Sequence, residues 1–204
     1  MATKKPTRIQ AKNRALIERA ALQIFSRDGF RGATVDAIAD AAGMSKPNLL
    51  YYYPTKDDIY RTLLEGLLED WLAPLVELDP KGEPAEQIAD YITRKIELAR
   101  DFPLESRLFA NEMIRGAPIL KDVLKGDLKT LVDDKAVIIQ GWIDDGRLAA
   151  VDPHHLIFAI WATTQHYADF DVQIRALLGE SENDHFTDAA QTLQQIFLNG
   201  MRPR

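Results

Sequence analysis

Residues 34–56, TVDAIADAAGMSKPNLLYYYPTK, constrain the fold more than any other part of the chain. The stretch reads as two short helices around a tight turn. Thr34 is a good N-cap, and Val35, Ile38 and Ala39 follow at helical spacing. Asp36 falls in the first turn, where its charge suits the helix dipole. The small side chains of Ala37, Ala39, Ala41 and Ala42 let a second helix approach closely. Gly43 supplies the backbone freedom that a sharp inter-helix turn needs, and Met44 an apolar plug. Ser45 is a second N-cap, and Pro47 falls early in the next helix, where a missing N–H costs nothing. Leu49 and Leu50 anchor that helix, which leaves Lys46, Asn48, Tyr51 and Tyr52 to face outward at least in part.

The outward set has the chemistry of a DNA reader. Lys46 can reach a guanine edge or a phosphate, and Asn48 can pair with an adenine edge. Tyrosine hydroxyls bond phosphate oxygens, and the helix N-termini near Thr34 and Thr55 attract them; Ser45 is counted with the DNA-binding residues. Lys56, just after Pro54 and Thr55, is placed for a backbone phosphate. The bland alternative is a helical hairpin with a solvated polar face.

Charge distribution favours the DNA reading. Residues 1–60 hold ten Lys/Arg and six Asp/Glu, whereas the whole chain holds 25 and 31. The first part is therefore +4 and the remainder −10, a basic head on an acidic body. Lys4, Lys5, Arg8, Lys12 and Arg14 form a basic lead-in, with residues 1–7 expected as a disordered tail in the free protein that can order on phosphate.

Residues 9–60 resemble the DNA-binding domain of the TetR family of bacterial transcriptional regulators. The resemblance rests on IERAALQIFSRDGFRGATV followed by IADAAGMSKPNLLYYYPTKDDIY, with Ala20, Phe25, Gly29, Phe30 and Thr34 at the family's helix-1 core, turn glycine and helix-2 cap. One departure is the run Leu49-Leu50-Tyr51-Tyr52-Tyr53, which has Leu at the family's first aromatic place; Tyr52 is the phosphate contact that carries over. The segments WLAPL and SRLFANEMIRGAPIL extend the likeness towards a branch of the family that controls pyrimidine utilisation. That branch implies repression relieved by uracil or thymine, and a homodimer on a palindromic operator.

The expected fold class is all-α, with a basic arm and helix-turn-helix domain over residues 1–55 and a helical effector-binding and dimerisation domain over 56–204. At 204 residues and 46% hydrophobic, the chain can bury a real core. Helices are predicted near 9–28, from Thr55 onward with Pro74 weakening the far end, and near 84–101, 104–115, 118–145, 153–178 and 183–200. On the last two, Leu156, Ile160, Thr163, Thr164, Tyr167, Ala168, Leu193, Ile196 and Phe197 fit either a dimer-forming bundle or an internal seam; the resemblance tips the reading to a dimer. Cysteine is absent, and no apolar run reaches about 18 residues, so the expected location is the cytoplasm and no membrane partner is expected.

A pyrimidine needs flat walls plus polar groups that offer both donor and acceptor. The candidates are Trp71 and Trp161 as walls, Gln165 one turn from Trp161, Arg107 for a ring carbonyl, and Asn111 and Glu112 for ring N–H groups. Leu75, Leu78, Phe109 and Met113 would close the apolar sides. Trp71 and Trp161 also fit plain core positions, and Arg107 a surface ion pair with Glu105 or Glu112. No cofactor and no metal are expected, because the adjacent His154 and His155 diverge by roughly 100° on a helix. His166 and Asp169 could pair, but no nucleophile turn or phosphate loop accompanies them, which argues against an enzyme.

Overall fold

A computed structural model describes residues 7–179 and 185–203. Lys4, Lys5, the expected start of the last helix at 183–184 and Arg204 lie outside the described residues. Eleven α-helices are described and no strand accompanies them among those residues. They form two compact units, one holding the residues up to Leu68 with Arg107–Leu120, the other Glu69–Ser106 with the residues from Lys121 on. Among the described residues, no helix is long and apolar enough to cross a membrane.

In the first unit, α1 (Arg8–Gly32) starts at a capping box. Thr7 accepts from the Gln10 N–H at 3.3 Å, while Gln10 Oε1 accepts from the Thr7 N–H at 2.9 Å. Thr7, read from sequence as part of a free tail, is thus an ordered cap. The regular helix is interrupted at Gly29, whose φ of 66° is open to glycine at little cost. Thr34 caps α2 (Val35–Ala41) by accepting from the Ala37 N–H at 3.1 Å, and Ser45 caps α3 (Lys46–Tyr52) by accepting from the Asn48 N–H at 3.4 Å. Gly43 joins them at φ 67°. Thr55 and Asp58 cap each other at the start of α4 (Lys56–Val76). Pro74 does not end α4, which runs on to Val76.

The core of this unit is Ile17, Ala21, Phe25, Ile38, Leu49, Ile59 and Leu64, with Leu108 and Leu120 also buried. Phe25, Phe30 and Tyr60 cluster with ring centroids 4.8–6.0 Å apart. Glu112, fully buried on α6 (Pro103–Ile114), accepts the N–H groups of Ile119 at 2.6 Å and Leu120 at 3.3 Å.

In the second unit, α5 (Pro84–Asp101) packs against α9 (Pro153–Asp169) and α11 (His185–Gly200). The buried face of α5 carries Ile88, Tyr91, Ile92, Lys95, Ile96 and Ala99 at helical spacing. The loop before α5 is pinned from outside: Trp142 Nε1 donates to the Pro80 carbonyl at 3.0 Å and Arg147 to the Gly82 carbonyl at 2.7 Å.

Two expected long helices are each broken. Residues 118–145 form α7 (Lys121–Lys125) and α8 (Asp127–Asp144), separated by Gly126 at φ −98°, ψ −103°. Residues 153–178 form α9 and α10 (Asp171–Leu178), with Phe170 non-helical between them at φ −114°, ψ 22°. Of the residues read as dimer-facing, Leu156, Ile160, Thr164, Ala168 and Leu193 are buried within the chain's own core, while Ile196 stays exposed.

Candidate nucleic-acid interface and buried polar groups

The short helix α3 presents one polar face. Ser45, Lys46 and Asn48 are exposed, and Tyr51 is 72% exposed. The Lys46 ammonium lies 2.9 Å from Asp36 Oδ2 on α2, so the lysine is paired but reachable. Tyr52 is half-buried, and its hydroxyl accepts from Asn13 Nδ2 at 2.7 Å. Tyr53 is buried against α1, where its hydroxyl donates to the Glu18 carboxylate and the Arg14 guanidinium sits 4.8 Å from its ring centroid. Burial, then the Glu18 carboxylate, push the Tyr53 phenol up to about 12. Arg8 and Lys12 are exposed along the same helix.

Thr34 is exposed beside the α2 N-terminus. Lys56 serves a different purpose from a free surface lysine. Its ammonium donates to the carbonyls of Phe30 at 2.7 Å and Ala33 at 2.8 Å, and lies 4.4 Å from the Phe30 ring centroid. Two of its three N–H groups are therefore committed to the end of α1. Thr34, Ser45, Lys46, Asn48, Tyr51, Tyr52 and Lys56 all belong to the first unit.

The ligand candidates divide between the units. Arg107, Phe109, Asn111, Glu112 and Met113 belong to the first; Trp71, Leu75, Leu78, Trp161 and Gln165 to the second. Arg107 is exposed, and the arginine nearest the Glu112 carboxylate is Arg115, at 3.9 Å. Arg115 also covers the Phe30 ring at 5.1 Å. Glu112 lies near Tyr60, whose phenol is pushed up to about 12, by burial first and then by Glu112. In the second unit Trp71, Leu75 and Leu78 are buried, and Trp161 and Gln165 are half-buried. The Trp161 indole donates to the Tyr91 hydroxyl at 2.5 Å.

Lys95 was not singled out in the sequence, although it sits in the apolar register of α5. It is 6% exposed, and its ammonium lies 4.4 Å from the Trp71 ring centroid. Burial lowers its pKa to about 8. A separate open groove of about 360 Å³ lies among Leu124, Leu128, Val132, His154, Phe158 and Trp161. At its edge Asp133 pairs with Lys129 and with His154 Nε2, the latter at 3.1 Å.

The residues weighed for catalysis are engaged elsewhere. The Asp169 carboxylate accepts the buried Ser106 hydroxyl at 2.5 Å, and the His166 ring stacks on Phe170 with centroids 4.8 Å apart. Among the described residues, no group of three or more His, Cys, Asp or Glu is arranged to hold a metal ion.

Comparison with known proteins accounts for nearly the whole chain. The family model for bacterial regulatory proteins of the tetR family matches residues 17–63, and the model for the C-terminal region of YcdC-like proteins matches residues 64–204. The HTH-type transcriptional regulator RutR of Escherichia coli O157:H7 is 46% identical over 203 residues, covering 98% of this chain and 95% of that protein. A TetR-like transcriptional regulator from Rhodococcus sp. RHA1 superposes with a TM-score of 0.69 at 21% identity, over 97% of this chain and 98% of that one. AibR, solved in complex with isovaleryl coenzyme A and operator DNA, superposes with a TM-score of 0.71 at 16% identity, over 91% and 97% of the two chains. These relatives are regulators rather than enzymes.

Proposed function

The chain belongs to the TetR family of bacterial transcriptional regulators, and from that premise we propose that it is a pyrimidine-responsive repressor acting in the cytoplasm. The observation that carries the proposal is the 46% identity to RutR over 98% of the chain, which includes the effector-binding half as well as the head. Residues 1–55 read DNA, and residues 56–204 bind effector and join two copies into a homodimer.

Each head sets α3 into a major groove of a palindromic operator. Lys46 and Asn48 read base edges, while Thr34, Ser45, Tyr51 and Tyr52 position phosphates. Lys56 has one N–H left for a phosphate beyond its two carbonyls. Uracil or thymine binds in the second unit near Trp71, Leu75, Leu78, Trp161 and Gln165. Effector releases DNA to the extent that it prefers the unbound form of the dimer.

Calorimetry of the purified protein with uracil and thymine, against cytosine and a purine, tests this reading. Saturable heat for uracil or thymine alone, together with loss of operator binding at the same concentrations, is the expected result. Heat from none of them would leave the DNA-binding family intact and remove the pyrimidine.

A further inference from the structure

The buried face of α5 is apolar except for Tyr91 and Lys95, which are one helical turn apart. Each is anchored on one side by an indole. Tyr91 accepts the Trp161 N–H, and the Lys95 ammonium rests over the Trp71 ring.

Lys95 is unlike Glu112, the other buried charged group among the described residues. The Glu112 carboxylate collects two backbone N–H groups, and the half-buried Lys56 collects two carbonyls. Among the described residues, no carboxylate, carbonyl or hydroxyl takes a proton from Lys95; the aromatic face is its one contact of this kind. A cation–π contact is worth less than the desolvation of a buried ammonium. A lysine kept there for stability would be better replaced by Met. Burial lowers its pKa to about 8, so at neutral pH it still carries the proton it would donate.

We propose that Lys95 is a ligand-recognition residue, whose ammonium donates to an oxygen acceptor on a flat ring, with Trp71 holding it in place. A ring carbonyl of a neutral heterocycle supplies that acceptor. The inference rests on the reading of the second unit as the effector-binding part and adds the charged donor that this reading lacked.

The experiment compares the wild-type chain with Lys95→Met and Lys95→Gln by calorimetry with uracil and with benzoate, and by thermal melting without ligand. The expected result is uracil affinity reduced about tenfold or more in Lys95→Met, a smaller loss in Lys95→Gln, and a Lys95→Met melting temperature at or above wild type. Unchanged uracil affinity in Lys95→Met overturns the inference and leaves the pyrimidine reading standing. If wild type binds no uracil, the pyrimidine reading falls and benzoate decides on Lys95. Benzoate heat that disappears in Lys95→Met keeps the donor role, and its absence from wild type, or its survival in Lys95→Met, ends that role. A Lys95→Met chain that melts below wild type makes the lysine structural, and also overturns the inference.

Discussion

Lys46 and Asp36 form an ion pair across the turn at Gly43, with Nζ 2.9 Å from Oδ2. The pair joins α2 to α3 on the face turned to solvent. In the proposed operator complex Lys46 would exchange this carboxylate for a base edge or a phosphate. An exposed pair of this kind is worth about 0–1 kcal/mol, so the exchange is cheap. Asp36→Asn is expected to raise operator affinity up to about fivefold at low salt, with the gain shrinking as salt rises. Lys46→Ala should lose about 1–3 kcal/mol of specific affinity. Fluorescence anisotropy on operator and scrambled duplexes at two salt concentrations measures both; an affinity indifferent to Lys46→Ala would remove α3 from the groove.

Tyr52 is held by Asn13, and its effect on DNA should carry a different signature from that of Lys46. An uncharged hydroxyl releases no counterion. Tyr52→Phe is therefore expected to weaken binding to all sequences alike while leaving the slope of affinity against salt unchanged. Asn13→Ala, which frees the Tyr52 ring without removing its hydroxyl, should give a smaller loss. A changed salt slope in Tyr52→Phe would contradict a hydroxyl-to-phosphate contact.

The two short helices of the head depend on their caps. Helices of seven residues satisfy few of their own N–H groups, so Thr34 and Ser45 supply partners that propensity cannot. Thr34→Ala and Ser45→Ala should each destabilise the head by about 1 kcal/mol, read as a lower denaturant midpoint. The Ser45 bond is the longer, 3.4 Å against 3.1 Å, so Thr34→Ala should cost more.

Alkaline pH separates two buried groups. The pKa of Lys95 falls from 10.5 to about 8 on folding, so the unfolded chain holds its proton more tightly. Stability should then rise as pH climbs from about 8 towards 10.5, by on the order of 3 kcal/mol at most for this group. Tyr60 acts in the opposite sense. Its pKa rises from 10.0 to about 12, so its contribution is fully present below 10 and is lost as pH climbs through 12. The predicted profile rises and then turns down. Denaturant unfolding of wild type and Lys95→Met across this range is the check, with the rising limb expected to vanish in the variant.

The head was legible because its signals are local. Thr34, Gly43, Ser45 and Pro47 each dictate the backbone at or beside their own position, and the caps and the turn formed where those residues stand. The breaks at Gly126 and Phe170 were harder. Glycine is tolerated inside helices, and Phe170 carries no local breaking signal, so neither break is written in the residue that makes it. Glu112 offered ring-binding chemistry in sequence, yet one of its oxygens is taken by the N–H groups of Ile119 and Leu120, a turn that only the folded chain forms. Lys95 could have been found. It falls in register with Ile88, Tyr91, Ile92 and Ile96, where a lysine contradicts the apolar stripe. Lysines are so commonly solvated that the contradiction is a weak signal by itself.

The grip of Lys56 on Phe30 and Ala33 has a mechanical consequence. It rivets the first turn of α4 to the end of α1, so those two helix ends travel as one piece. Parting them means breaking two hydrogen bonds and a cation–π contact together, all on one side chain.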